Sequence, residues 1–217
     1  MRCTIGFWIV LRGVYSRQTH EEMSMSDLQR FNDPIAEETQ WDRLVAGGAS
    51  FKTHSLQQDL NGTLQFKATL GSKLFAGLFI VAPLPFTLFL FFTKWIIPLV
   101  LFFIIMGSVL LYKTLTPIVF NLERGYFHKG WMNKNVSLQL QKIEWCEIND
   151  IYALQIISEY VSGDIDSPSF KSYELNIVKK DASRVNVVDH GGLQTLRSDA
   201  NILAEVLGVP VWDNVEG

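Results

Sequence analysis

The sequence predicts an α+β membrane protein: a two-helix transmembrane hairpin, then a small antiparallel β-barrel or sandwich that a C-terminal amphipathic helix closes. Three observations predict it. Across residues 74–112 the only formally charged side chain is Lys94. After Lys113 the apolar pattern changes to period two, punctuated by turn residues, as in small antiparallel sheets. From Leu193 to Leu207 apolar residues recur at three- and four-residue spacing, as one face of a helix requires.

Composition sets the frame. A chain of 217 residues has room for one main globular unit beside a membrane segment. Charged residues are only 19% and mean hydropathy is +0.15, so apolar residues must be concentrated in one place. A formal net charge of -3 argues against a nucleic-acid partner, which would call for a basic surplus. Two cysteines, Cys3 and Cys146, supply neither a disulfide framework nor a zinc cluster, and Cys146 reads as a small strand residue.

In chain order, residues 1–24 read as a non-native extension or a disordered N-terminus. The apolar run 3–11 lacks a small-residue cleavage site after it and is too short to span a bilayer. The native start is placed at Met23 or Met25 rather than Met1. Residues 25–73 form an N-terminal cytoplasmic segment. There Asp33 caps a helix opened by Pro34, which runs towards Gly47 and Gly48 with Trp41, Leu44 and Val45 on one face. Leu64, Phe66 and Ala68 then alternate with polar residues as a half-buried strand.

The stretch 74–112 would measure about 58 Å as one helix, roughly twice the hydrocarbon core of a bilayer. It therefore folds back at Thr93-Lys94-Trp95 into helices 74–92 and 96–112, with a kink at Pro83. Lys67, Lys73, Lys113, Arg124 and Lys129 flank the pair against Lys94 alone at the tip. The positive-inside rule then puts both termini in the cytoplasm.

Residues 113–217 form the β-rich domain. Strands are expected at 117–122 and 126–132, and at 136–140, where Val136, Leu138 and Leu140 alternate with polar residues. A central strand comes next at 151–158. The clearest hairpin joins Tyr173, Leu175 and Ile177 to Val185 and Val187 across residues 179–182. Gly208 and Pro210 stop the last helix.

The hairpin, the run Pro117-Ile-Val-Phe-Asn-Leu-Glu-Arg-Gly-Tyr-Phe and the later Ile148-Asn-Asp-Ile-Tyr-Ala-Leu-Gln resemble uncharacterised bacterial membrane proteins with a pleckstrin-homology-like domain. Ser172-Tyr-Glu-Leu-Asn-Ile-Val and Arg184-Val-Asn-Val-Val-Asp-His-Gly are similar to stretches of the same group. The resemblance implies a barrel closed by a helix and a place in the bacterial inner membrane. It implies no catalytic residues.

Two groups of side chains qualify as candidate sites. Arg124, His128, Lys129 and Lys134 cluster after the membrane segment, where they would face anionic head groups. Asp189, His190, Gly191 and Gly192 stand at a helix entrance. A carboxylate, an imidazole and two glycines there could hold an anion or a metal, but they read as a structural turn in which Asp189 caps the helix. Asp164 and Asp166 lie in a polar loop without calcium-loop spacing. No Walker loop, nucleophile elbow or dinucleotide fingerprint occurs. The expectation is a non-enzymatic membrane protein without cofactor or metal that presents an interaction domain to a protein partner or a second copy. The alternatives are an anionic-lipid-responsive adaptor and, behind it, an enzyme built on Asp189 and His190.

Overall fold

Among the described residues nine strands in two open sheets take the place of the expected closed barrel or sandwich. The computed structural model describes residues 31–45, 48–59, 62–86, 96–133, 135–162 and 168–215. The expectations for residues 1–24 and for the Lys94 tip lie outside them. The first sheet has the order β1 (His54–Gln58), β2 (Leu64–Ala68), β3 (Ile118–Asn121), β4 (Tyr126–Lys129) and β5 (Glu144–Glu147), all antiparallel. The second has the order β8 (Arg184–His190), β7 (Phe170–Lys179), β6 (Ile151–Val161) and β9 (Val211–Asp213). Within it β6 pairs parallel with β9 and antiparallel with β7.

Closure fails at both seams. A 3-10 turn over Ile148–Asp150 redirects the chain between β5 and β6. At the other seam, Gly191 N–H donates to the Phe51 carbonyl at 3.0 Å and Thr53 Oγ1 to the Asp189 carbonyl at 2.5 Å, contacts too few to make a ladder. The residues 136–140 that alternate in sequence form a 3-10 turn at Leu138–Leu140 and no strand.

The core lies where the two sheets and the last helix meet. Leu64, Phe66, Phe120 and Phe127 of the first sheet face Leu154, Ile156, Leu175 and Ile177 of the second in one buried cluster. Across β3 and β4 the Phe120 and Phe127 rings sit 4.6 Å apart, centroid to centroid. Each such buried side chain contributes about 1.5–3 kcal/mol.

Four α-helices are described: α1 (Pro34–Glu38), α2 (Leu70–Val81), α3 (Ile96–Thr114) and α4 (Leu193–Leu207). Helix α4 adds Leu196, Ala200 and Leu203 to the core, and Gly208 ends it in the left-handed conformation at φ 68°. Helix α1 is shorter than expected: it stops at Glu38, and Leu44 and Val45 are exposed rather than on a docking face.

The pair of spanning helices is also corrected. Among the described residues only one helix, Ile97–Thr114 within α3, is long and apolar enough to cross a membrane. The first apolar stretch makes α2 from Leu70, capped by Thr69, and the helix ends at Val81 instead of kinking. Pro83 and Pro85 come at once after it, and a proline ring offers no N–H to continue the ladder. At 12 residues α2 reaches about 18 Å, short of a bilayer's hydrocarbon thickness. Pro98, in contrast, falls in the first turn of α3, where its missing N–H costs little. Along α3 only Val100 and Gly107 are buried between residues 97 and 114. A Cβ at Gly107 would sit 2.8 Å from Ile80, so glycine is what lets α2 approach α3 there.

Chain order gives this apolar stretch its position. β2 runs into α2, α3 runs into β3, and β2 and β3 are hydrogen-bonded neighbours with Leu64 opposite Phe120. Residues 69–117 are thus an insertion into one turn of the first sheet. The strands at 54–58 and 64–68 belong to the same domain as those that come after it.

Candidate functional site

The outer face of the second sheet, turned away from the core, carries half of the buried polar residues among those described. In a strand that packs on one side, alternate residues leave the core, and here Gln155, Ile157 and Glu159 of β6 do so. Their neighbours on β7 are Asn176, Glu174 and Ser172. On β8, Asn186 stands opposite Asn176 and Asp189 opposite Glu174. Asn186 and Asp189 are three residues apart yet share this face, because the β7–β8 register shifts between Leu175 and Asn176. Gln155, Asn176, Asn186 and Glu174 are all at most 4% exposed.

Burial at that level demands partners, and the face supplies them. Asn186 Nδ2 donates to Glu174 Oε1 at 2.9 Å and to Asp189 Oδ1 at 3.3 Å. The amide orientation that satisfies Asn176 has its nitrogen donating to Glu174 Oε1 at 2.9 Å. Lys129 reaches over from β4 and donates to Asn186 Oδ1. Burial holds the Glu174 and Asp189 carboxyls above their usual range and Lys129 below its own; Lys129 and Asp189 pull each other back towards the charged forms, Arg184 does so for Glu174, and Asp189 pushes Glu174 further up.

An N-terminal arm covers this face. Asp33 Oδ1 caps α1 by accepting from Ile35 N–H at 2.9 Å, while Oδ2 accepts from Tyr152 at 2.8 Å. Trp41 stacks on Phe31 with centroids 5.2 Å apart and meets Trp212 at 6.1 Å. Beyond Trp41 the contacts turn polar. Gln155 Nε2 donates to the Gln40 carbonyl at 3.0 Å, and Arg184 donates to the Asp42 carbonyl at 2.6 Å and to its carboxylate at 2.8 Å. Arg43 pairs with Glu159. Leu44 N–H donates to both Glu174 oxygens, at 3.1 and 3.3 Å, and Ala49 N–H to Ser172 Oγ at 2.7 Å.

The expected basic cluster is not assembled. Arg124 is exposed in the β3–β4 turn, whereas the His128 ring is buried and held by the Gly130 carbonyl at 3.2 Å, and Lys129 belongs to the polar face. Lys134 lies outside the described residues, as do Asp164 and Asp166.

At the helix-entrance tetrapeptide the contact to the helix backbone is made by a different residue from the one expected. Asp189 does not cap α4: it lies in β8, its carboxylate on the outer face, and the N-cap position is Gly192, without a side-chain cap. The group that meets the entering backbone is His190, whose Nδ1 accepts from Gly192 N–H at 2.8 Å. That bond fixes a neutral ring with its proton on Nε2, and burial holds the pKa below the ordinary histidine value. Asp189 and His190, consecutive in a strand, point to opposite faces of the sheet. Gly191 has no room for a side chain, because a Cβ would overlap the backbone of Ser50 and Phe51. Among the described residues no group of three or more His, Cys, Asp or Glu could hold a metal ion. Burial pushes the Cys146 thiol up to about 12, which leaves it unreactive.

Fold and site together define an α+β protein with one helix of membrane-spanning length and a buried polar sheet face beneath an N-terminal arm. No family model matches the chain, and no curated protein or solved structure matches it.

Proposed function

We propose that this protein is a membrane-held, non-catalytic interaction module. Its apolar insertion holds it at a bilayer, and its two-sheet domain presents a binding surface on the adjoining side. The observation that carries the reading is the exposure of the insertion: Leu70, Leu74, Leu78, Phe102, Ile105 and Val109 are each at least half exposed, and none of them contributes to the domain core. So large an apolar patch in contact with water would be a liability. Because the insertion leaves and re-enters the first sheet through neighbouring strands, both of its ends lie beside the domain. Lys67, Lys73 and Lys113 flank those ends, which favours the cytoplasmic side of a bacterial inner membrane.

The lipid-reading alternative has less support, since His128 and Lys129 turn inward and, of the basic group named for it, only Arg124 among the described residues is exposed. An enzyme on Asp189 and His190 has none in this geometry, because the two side chains cannot reach one substrate from opposite faces of a sheet. The test is fractionation of cells that express the full chain. The protein is expected to remain in membranes after an alkaline carbonate wash, and its domain to be digested by protease only in inside-out vesicles. Release by carbonate would overturn the anchoring; digestion in right-side-out preparations would overturn the sidedness.

A further inference from the structure

The arm lies on the second sheet as a bound peptide would lie, and the face beneath it reads that peptide. A sheet face that needs only permanent cover is apolar, so that the cover gains from burial. Over residues 155–186 this one offers side-chain donors and acceptors to the arm's backbone: Gln155 to the Gln40 carbonyl, Arg184 to the Asp42 carbonyl, Glu174 to Leu44 N–H and Ser172 to Ala49 N–H. Such contacts hold the backbone whatever its side chains. Two others read sequence: Arg184 takes the Asp42 carboxylate and Glu159 takes the Arg43 guanidinium.

In return the arm buries little here. Leu44 and Val45 remain 39% and 42% exposed, and the run Val45-Ala-Gly-Gly-Ala-Ser50 is built of small residues apart from its first. Apart from Ile157 the face around residues 42–45 is polar and can stand open in water as well as covered, so these residues can leave it with little apolar surface exposed.

We propose that the polar part of the outer face of the second sheet binds a segment of a partner protein in which an acidic residue directly precedes an arginine, and that residues 42–45 occupy it in cis until displaced. The inference rests on the interaction-module reading and names the chemistry of the partner. Charge complementarity selects the occupant: Arg184 and Glu159, of opposite sign, are placed to read two consecutive side chains of opposite sign.

The test is a charge exchange on the full chain in detergent micelles, with fluorescently labelled peptides of residues 31–50 as probes. Wild-type protein, its face filled, is expected to bind no peptide. R43E should release its own arm and bind the native peptide at least tenfold more tightly than a peptide carrying Arg43→Glu. E159R should show the reverse preference, and a peptide carrying Asp42→Ala should bind R43E several-fold more weakly than the native one. Thermal melting of each variant reports whether the domain is intact, and two variants of opposite charge keep the test alive if one fails to fold. A folded variant that binds neither peptide, or both equally, overturns the proposal. So does a wild-type dimer by sedimentation that R43E dissociates, which would assign the face to a second copy. Carbonate retention of the same variants is read separately, so loss of anchoring and loss of peptide binding cannot be confused.

Discussion

At the scale of single residues, the buried histidines set how the domain responds to pH. Burial holds His54, His128 and His190 below the ordinary value of 6.5. As pH falls below about 6.5 the unfolded chain therefore takes up protons before the folded one, and stability is lost across the window from 6.5 down to the folded values. Glu174, Asp189 and Asp199 act with the opposite sign, since burial holds them above their ordinary range and the folded state takes up protons first. His190→Asn keeps an acceptor for Gly192 N–H and removes the proton uptake. Its melting temperature should fall less between pH 7 and pH 5 than that of the wild type, and an equal fall would show that His190 is not among the groups responsible. Gly191→Ala should destabilise by about 1–3 kcal/mol in a denaturant melt, because the new methyl meets backbone rather than a movable side chain. The tetrapeptide that holds both residues stands out in the sequence as a structural turn, but the division of labour within it does not. The β7–β8 register shift that sends Asp189 outward depends on pairing with another strand. Lys129 was likewise beyond local reading: its partner Asn186 is 57 positions away, so its charge suggested a lipid surface instead of an interior network.

At the scale of elements, length and repetition decide what can be read. The strands β6, β7 and β8 and the helix α4 repeat their pattern over 7 to 15 residues, and all were legible with the hairpin turn and the glycine stop. β9 spans only 3 residues, too short for a period to register, and in β5 the apolar pair Trp145 and Cys146 is adjacent, so no alternation marks it. The alternation at 136–140 makes no strand because the backbone there bonds to itself: Leu140 N–H donates to the Ser137 carbonyl at 3.0 Å and Gln141 N–H to the Leu138 carbonyl at 3.1 Å, closing a 3-10 turn. The arm failed for another reason. Asp33 and Pro34 announce a helix correctly, yet the chain beyond Glu38 is held by contacts 115 to 142 positions distant, which no local pattern encodes. The anchor of the arm is testable at this scale. Asp33→Ala removes the cap of α1 and the acceptor of the Tyr152 hydroxyl together; loss of the cap alone costs about 1 kcal/mol. Hydrogen exchange should then rise in residues 34–45 and stay unchanged in α4. In contrast, Leu196→Ala, at a fully buried position of α4, should lower global stability by about 2–5 kcal/mol. If both variants slow or speed exchange in the same places, the arm is part of the cooperative core and not a separable cover.

At the scale of the whole molecule, the first sheet and the apolar insertion are joined at one turn. Composition located that insertion and its boundary with the domain, but treated the strands before it as a separate segment. Pairing between residues more than fifty positions apart, Leu64 with Phe120 and Gln65 with Val119, is what unites them. The physical consequence is that the domain does not need the insertion to fold. Its buried cluster draws on both sheets and α4 and takes no residue from α2 or α3. Strands β2 and β3 are antiparallel neighbours whose register, continued from Leu64 opposite Phe120, sets Ala68 opposite Thr116, and a two-residue Asn-Gly turn is a connection suited to that geometry. Replacing residues 69–115 by such a turn should yield a protein that is soluble without detergent and unfolds in a single cooperative transition, with the Phe120–Phe127 contact and the polar face retained. Loss of the long loop should if anything favour folding slightly, since loop closure costs grow only with the logarithm of length. A product that aggregates, or that melts without a cooperative transition, would mean that α2 and α3 shape the first sheet as well as anchor it. The domain and its insertion would then be one folding unit.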